Sequence, residues 1–264
     1  SVLKTGKDHH GRFLPIFFES FGDWKLPVYH YLLVPSIALF GLNEFALRFP
    51  SAFFGVLTIP LVFLIIKKLT GNDHLSVLSA FFIAISPWNT QFSRGGFEST
   101  LGLFFLLLGF YLFMLAQQKY KPLLFLSSLF FFVLSMYTYH AYRIFSPLFL
   151  LTLFWFYKKQ IFNNFKKKLI PLLVSFILLI PLISFTFTNE GRSRVISQSA
   201  FKKAEFEQAK LDYDQKSKKP LRFLSSRIFN EPTYFSYVAI KGYLDNFSPV
   251  FLEITILHGI PIKS

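Results

Sequence analysis

Asp23 and Lys25, Glu44 and Arg48, Arg94 and Glu98, and His140 and Arg143 are the residues of this chain whose types and spacing could do chemistry. They sit at the borders of apolar runs, where a charge is costly unless it has a task or a partner. Ammonium and guanidinium groups gathered over a lipid-facing bundle suit an anionic lipid headgroup such as a phosphate or pyrophosphate. A carboxylate beside them is what an acceptor hydroxyl would need as a base.

Each group also has a structural reading. Arg94 and Glu98 flank Gly95-Gly96, and Glu98 ahead of Ser99-Thr100 suits a helix N-terminus, so capping and ion pairing compete with catalysis there. Lys25, in Trp24-Lys25-Leu26-Pro27, fits a lysine snorkelling to the membrane interface. His140 and Arg143, among Tyr137, Tyr139 and Tyr142, fit polar anchors in an aromatic belt. Arg192 and Arg194 fit a flanking charge pair. His9-His10 beside Asp8 would need more ligands to hold a metal. No metal site and no cofactor is expected.

The elements that must position these residues follow from composition. Of 264 residues 53% are hydrophobic and 38 are Phe. A soluble globule must cover itself with polar atoms and does not use that much Phe. Apolar runs of roughly 17 to 25 residues recur, which is what a hydrocarbon core of about 30 Å asks of a helix. The predicted fold is all-α, a polytopic transmembrane bundle. Six spans are expected, at about 45–69, 75–92, 98–116, 122–139, 141–157 and 169–187, each bounded by polar or Pro/Gly-containing breaks.

The net charge of +14 raises the question of nucleic acid, and the placement of the lysines answers it. Lys67-Lys68, Lys119 and Lys121, Lys158-Lys159 and Lys166-Lys167-Lys168 lie in short connections between apolar runs, the pattern of cytoplasmic loops. If the first span runs inward, these nine lysines fall inside, and the connections around Arg94 and His140 fall outside. A plasma-membrane protein with its active face outside the cytoplasm is therefore expected, with the bilayer and no nucleic acid as its surroundings.

The apolar stretch Leu26 to Leu42 is short and contains Pro27, Tyr29, His30, Tyr31 and Pro35. Counting it as a span would put every lysine cluster outside, so it reads as an outer re-entrant or juxtamembrane helix. The expected organisation is an outer loop with that helix over 1–44, a helix bundle over 45–188 and an extracytoplasmic region over 189–264. Under this topology the eight residues named first, with Arg192 and Arg194, gather on one face.

Gly22-Asp23-Trp24-Lys25-Leu26-Pro27-Val28-Tyr29, followed by Leu39-Phe40-Gly41-Leu42-Asn43-Glu44-Phe45-Ala46-Leu47-Arg48-Phe49-Pro50-Ser51, resembles the dolichyl-phosphate-mannose–protein mannosyltransferase family. That family is similar to the aminoarabinose transferases that modify lipid A, and both are GT-C glycosyltransferases. Ser86-Pro87-Trp88 with Phe92-Ser93-Arg94-Gly95-Gly96-Phe97-Glu98 resembles its next outer-loop pattern, and Tyr139-His140-Ala141-Tyr142-Arg143 resembles a motif of its bacterial members. The resemblance covers roughly residues 1–190. It implies a polyprenyl-phosphate-linked sugar donor, an extracytoplasmic active site and inversion at the anomeric carbon. It also implies that Lys25 contacts the donor phosphate, although Lys-Leu-Pro stands here for the family's Lys-Pro-Pro. Glu98 matches the acidic residue that opens the family's outer-loop helix. The family's principal catalytic acid follows a first transmembrane helix that this sequence does not contain. The sequence is therefore expected to be a piece of a longer enzyme, inactive by itself, with Glu98 in a supporting role and Asp23, Lys25, Arg94, His140 and Arg143 binding substrate.

A transporter or flippase of lipid-linked saccharides is the competing reading, and a non-catalytic membrane subunit is a third. A transporter would be expected to show repeated halves and interrupted helices near the midplane. No repeat is evident, and the charges sit at one face.

Overall fold

In the computed structural model the described residues are 6, 11–20, 23–119, 121–162, 165–188 and 240. The expected outer region 189–264, with Arg192 and Arg194, and the His9-His10 pair lie outside them. The chain divides into two compact units, Ser1–Phe185 and Thr186–Ser264. The elements below belong to the first, apart from the last residue of the final helix.

Helices dominate, as composition predicts. Two short strands, β1 (Phe18–Ser20) and β2 (Asp23–Lys25), form an antiparallel ladder that pairs Phe18 with Lys25 and Glu19 with Trp24. After Leu26 comes α1 (Pro27–Phe40), with Pro27 in its first turn, where the missing N–H costs nothing. Asn43 caps α2 (Glu44–Thr70) by accepting from the Ala46 N–H at 2.8 Å. Lys67 and Lys68 in its last turn complement the helix dipole. Asn72 accepts from His74 and Leu75 to start α3 (Asp73–Ile85). The Ser86-Pro87 step ends α3 and opens α4 (Pro87–Arg94), because proline disfavours helical backbone in the residue before it. Then follow α5 (Glu98–Lys119), α6 (Pro122–Met136), α7 (Tyr142–Phe156), α8 (Lys158–Phe162) and α9 (Phe165–Thr186).

Three of these helices are long and apolar enough to cross a membrane: Glu44–Thr70, Glu98–Gln117 and Lys168–Thr186. The expected spans at 75–92, 122–139 and 141–157 correspond to shorter apolar helices of 13, 15 and 15 residues. At 1.5 Å per residue such helices rise only about 20–23 Å, short of the ~30 Å hydrocarbon core. The first is cut by Ser86-Pro87. The other two stop at the turns from Tyr137 to Ala141, where Tyr137 and Thr138 bond back to α6 carbonyls. The stretch read as a short outer helix is α1, with 14 residues.

The helix α5 holds the bundle together. One of its flanks packs Leu101, Phe104, Phe105 and Met114 with Tyr29 of α1 and Leu61 and Ile65 of α2. Another packs Leu106, Phe113 and Ala116 with Phe125, Leu129 and Phe132 of α6, Leu153 of α7 and Ile161 of α8. In an apolar solvent helices gain little by hiding apolar surface, so close approach and buried polar bonds hold them together. Ser128 donates to the Gly109 carbonyl at 2.7 Å, Ser36 to the Ala46 carbonyl at 2.6 Å, and the Ser135 and Ser146 hydroxyls bond to each other at 2.8 Å.

Candidate active site

Helix direction alternates along the chain, so the N-terminus of α2, the α4–α5 turn, the α6–α7 turn and the C-terminus of α9 share one end of the bundle. Contacts across that end confirm the alternation. The fully buried Ser51 hydroxyl of α2 lies 3.1 Å from the Phe92 carbonyl of α4 and 3.2 Å from the Phe97 carbonyl, donating between them. A Cβ on Gly55, one turn further along α2, would collide with the Ser93 hydroxyl and lie 2.7 Å from Ser93 Cβ. Only a glycine lets the two helices come so close. At the far side, Leu26, Met136 and Leu182 bury one another, tying the hairpin to α6 and α9.

Glu98 opens α5 at this end and is half-buried. Its carboxylate acts on the phenol of Tyr29, which burial first and Glu98 second push up to about 12. Tyr29 donates to the Leu47 carbonyl at 2.7 Å. Beside this bond lies Gly96, at φ +72°, where a Cβ would stand 3.2 Å from the Tyr29 oxygen and 3.6 Å from Arg48 Cγ. Arg48 pairs with Glu44 one turn back on α2. Tyr29, Gly96, Glu98 and the Glu44–Arg48 pair thus form one polar group. Arg94 closes α4 just before it and is exposed.

Lys25 ends β2 opposite Phe18 and is half-buried. Its charge reaches His30 in the first turn of α1, whose ring stacks on Phe18 at 4.8 Å and whose Nδ1 lies 3.1 Å from the Leu26 carbonyl. Burial lowers the His30 imidazole below its ordinary value, the bond to Leu26 opposes this, and Lys25 adds to the lowering. Asp23 heads the same strand in register with Ser20, its side chain lying outside what the structure describes.

His140 lies in the α6–α7 turn and Arg143 in the first turn of α7, both half-buried. The Arg143 guanidinium sits 5.9 Å from the Phe185 ring of α9. Phe185 stacks on Phe17 at 3.6 Å and meets Trp24 edge-on at 5.7 Å. Trp24 precedes Lys25, so an aromatic bridge runs from the hairpin through α9 to Arg143. Tyr142 reaches toward the Ser99 carbonyl at 3.5 Å, which sets the α6–α7 turn against the start of α5.

Lys25, Arg94, Glu98, His140 and Arg143 therefore come from four separate segments to the same end. The sequence did not single out Tyr29, whose signal is only a tyrosine two residues after Pro27, or the Phe17–Phe185–Trp24 bridge, which has no local signature. An apolar cleft of about 490 Å³ opens beside the hairpin, lined by Leu14, Ile16, Val28, Tyr31, Phe105 and Leu134 among others. Among the described residues no group of three or more His, Cys, Asp or Glu is placed to hold a metal.

A family profile described as dolichyl-phosphate-mannose-protein mannosyltransferase matches residues 25–185, well over half of the chain. It starts at Lys25 and ends at Phe185, and so takes in every candidate residue except Asp23. No curated protein and no solved structure matches the chain.

Proposed function

The chain belongs to the dolichyl-phosphate-mannose-protein mannosyltransferase family of membrane glycosyltransferases, and from that premise we propose that it transfers a sugar from a polyprenyl-phosphate-linked donor to an acceptor outside the cytoplasm. The observation that supports this reading is that Lys25, Arg94, Glu98, His140 and Arg143 stand on segments that meet at one end of the bundle, the end that lacks the lysine clusters. Lys25 is the donor-phosphate ligand, a compact half-exposed cation at the end of β2. Arg94, Arg143 and His140 supply further donors to the phosphate or sugar, and Asp23 sits two residues from Lys25 to meet a sugar hydroxyl. Glu98 supports the acceptor, orienting or deprotonating its hydroxyl as that oxygen attacks the anomeric carbon and the lipid phosphate leaves with inversion.

The test is steady-state transfer by the full-length enzyme from polyprenyl-phosphate mannose, wild type against Lys25→Ala. Losing a charge-assisted contact costs about 1.5–3 kcal/mol, which is roughly a 10- to 150-fold loss in kcat/KM for the donor. The melting temperature should stay unchanged, since Lys25 is half-exposed. Unaltered donor kinetics would return Lys25 to the role of an interfacial anchor.

A further inference from the structure

The opposite end of the bundle has no part in that reaction and has a chemistry of its own. Among the described residues it presents Lys67, Lys68, Lys121, Lys158 and Lys159 at the surface against one carboxylate, Asp73, which pairs with Lys67 at 3.0 Å. The excess is sharpest at the corner where α7 passes through α8 into α9. There α7 ends in Trp155 and Phe156, exposed by 72% and 75%. The Lys158 ammonium lies 5.0 Å from the Trp155 ring. Ile161 is buried with Phe113, Phe125 and Leu153, so α8 turns one side to the core and leaves Lys158 and Lys159 outside.

The corner is pinned in place. Lys168, 4% exposed at the start of α9, donates to Gln117 Oε1 of α5 at 3.1 Å and to the Gln160 carbonyl of α8 at 3.0 Å. Its ammonium also sits 5.4 Å from the Phe125 ring. A buried cation held by neutral oxygens and a ring adds positive charge that no carboxylate among the described residues cancels. It also fixes α8, and with it the spacing of Lys158 and Lys159 from Trp155.

We propose that this corner binds the headgroup of an anionic phospholipid. The two ammonium groups meet the phosphate, and Trp155 and Phe156 lie against the glycerol and upper acyl chains. The aromatic pair continues into the exposed apolar flank of α7 at Leu148 and Leu151. Only a ligand with an anionic head and an apolar tail matches both surfaces, which favours a lipid over a nucleic acid or an acidic protein.

The experiment is thermal unfolding of the detergent-solubilised full chain, titrated with dioleoyl-phosphatidylglycerol, dioleoyl-phosphatidylcholine or inorganic phosphate. Phosphatidylglycerol should raise the melting temperature saturably, and the other two should not. The Lys158→Gln/Lys159→Gln double variant should shift the half-saturating phosphatidylglycerol concentration upward by roughly 10- to 30-fold, while Lys121→Gln leaves it in place. Equal stabilisation by the two lipids overturns the proposal, and so does a Lys121→Gln effect as large as that of the double variant. Stabilisation by inorganic phosphate alone shows an ion site and overturns the lipid assignment. Should the double variant fail to fold, Lys158→Gln alone carries the same test. None of these readings depends on sugar transfer, so their failure leaves the proposed reaction untouched.

Discussion

The phenol of Tyr29 donates a 2.7 Å hydrogen bond to the carbonyl of Leu47, joining the short helix α1 to the first turn of α2 directly beneath Gly96 and Glu98. One partly buried bond thus sets the hairpin side of the candidate site against the side that carries the carboxylate. Replacing Tyr29 by Phe keeps the ring and removes the bond to the Leu47 carbonyl. A net loss of about 0.5–1.5 kcal/mol follows, and the melting temperature of Tyr29→Phe should fall accordingly. With the phenol pushed up to about 12, the bond stays intact across neutral pH, so the loss should be the same at pH 6 and pH 8. A loss that varies over that range would mean the phenol titrates there.

Glu98 separates two roles by an isosteric change. As a helix N-terminal charge alone, Glu98→Gln should leave the rate near normal and cost about 0.3–1 kcal/mol of stability. As a group that orients or deprotonates the acceptor, the same change should lower the rate by roughly 10²- to 10⁴-fold. Single-turnover sugar transfer by the full-length enzyme, with unfolding measured on the same sample, distinguishes them, and the slower rate is expected.

His30 gives the protein an acid-sensitive element. Its folded-state value lies below the ordinary 6.5, through burial above all, so the fold prefers the neutral ring stacked on Phe18. The unfolded chain therefore takes up the proton first. This stabilisation is whole above about pH 6.5 and drains away as pH falls below it, until the folded ring is itself protonated. Wild type should lose melting temperature between about pH 7 and pH 5 more steeply than His30→Gln. Parallel curves would remove His30 as the cause.

Sidedness is open to direct chemistry, because the chain has no cysteine. Leu42 is exposed just before α2 and Lys121 just before α6, at opposite ends of the bundle. Single cysteines placed there should react with an impermeant maleimide from opposite sides of the membrane, with Leu42→Cys accessible from outside. Labelling of both from one side would contradict the alternation of helices across the membrane.

The reading from sequence and the folded chain agree where the information is local. An apolar run reports its own solvent, and a lysine pair reports the leaflet it avoids crossing, so α2, α5 and α9 and the two chemically distinct ends were legible residue by residue. Asn43, Asn72 and Pro87 likewise mark helix ends where they stand, and Pro87 divides the span expected over 75–92 into two helices.

What the sequence by itself determined, then, is the helical class and the three long apolar helices, since hydropathy is a property of single residues summed along the chain. What only the tertiary structure decided is distance. The ladder that sets Lys25 opposite Phe18, the bridge from Trp24 through Phe185 to Arg143, and the Tyr29 bond across to Leu47 join residues 7 to 161 positions apart. Lys168 shows the reason most clearly. In sequence it is one more cation of a lysine run, yet it lies 4% exposed because Gln117 and Gln160 offer it oxygens from two other helices. Gln117 lies 51 positions away, outside any window of neighbouring residues, so the energy that buries this charge exists only once α5, α8 and α9 have met.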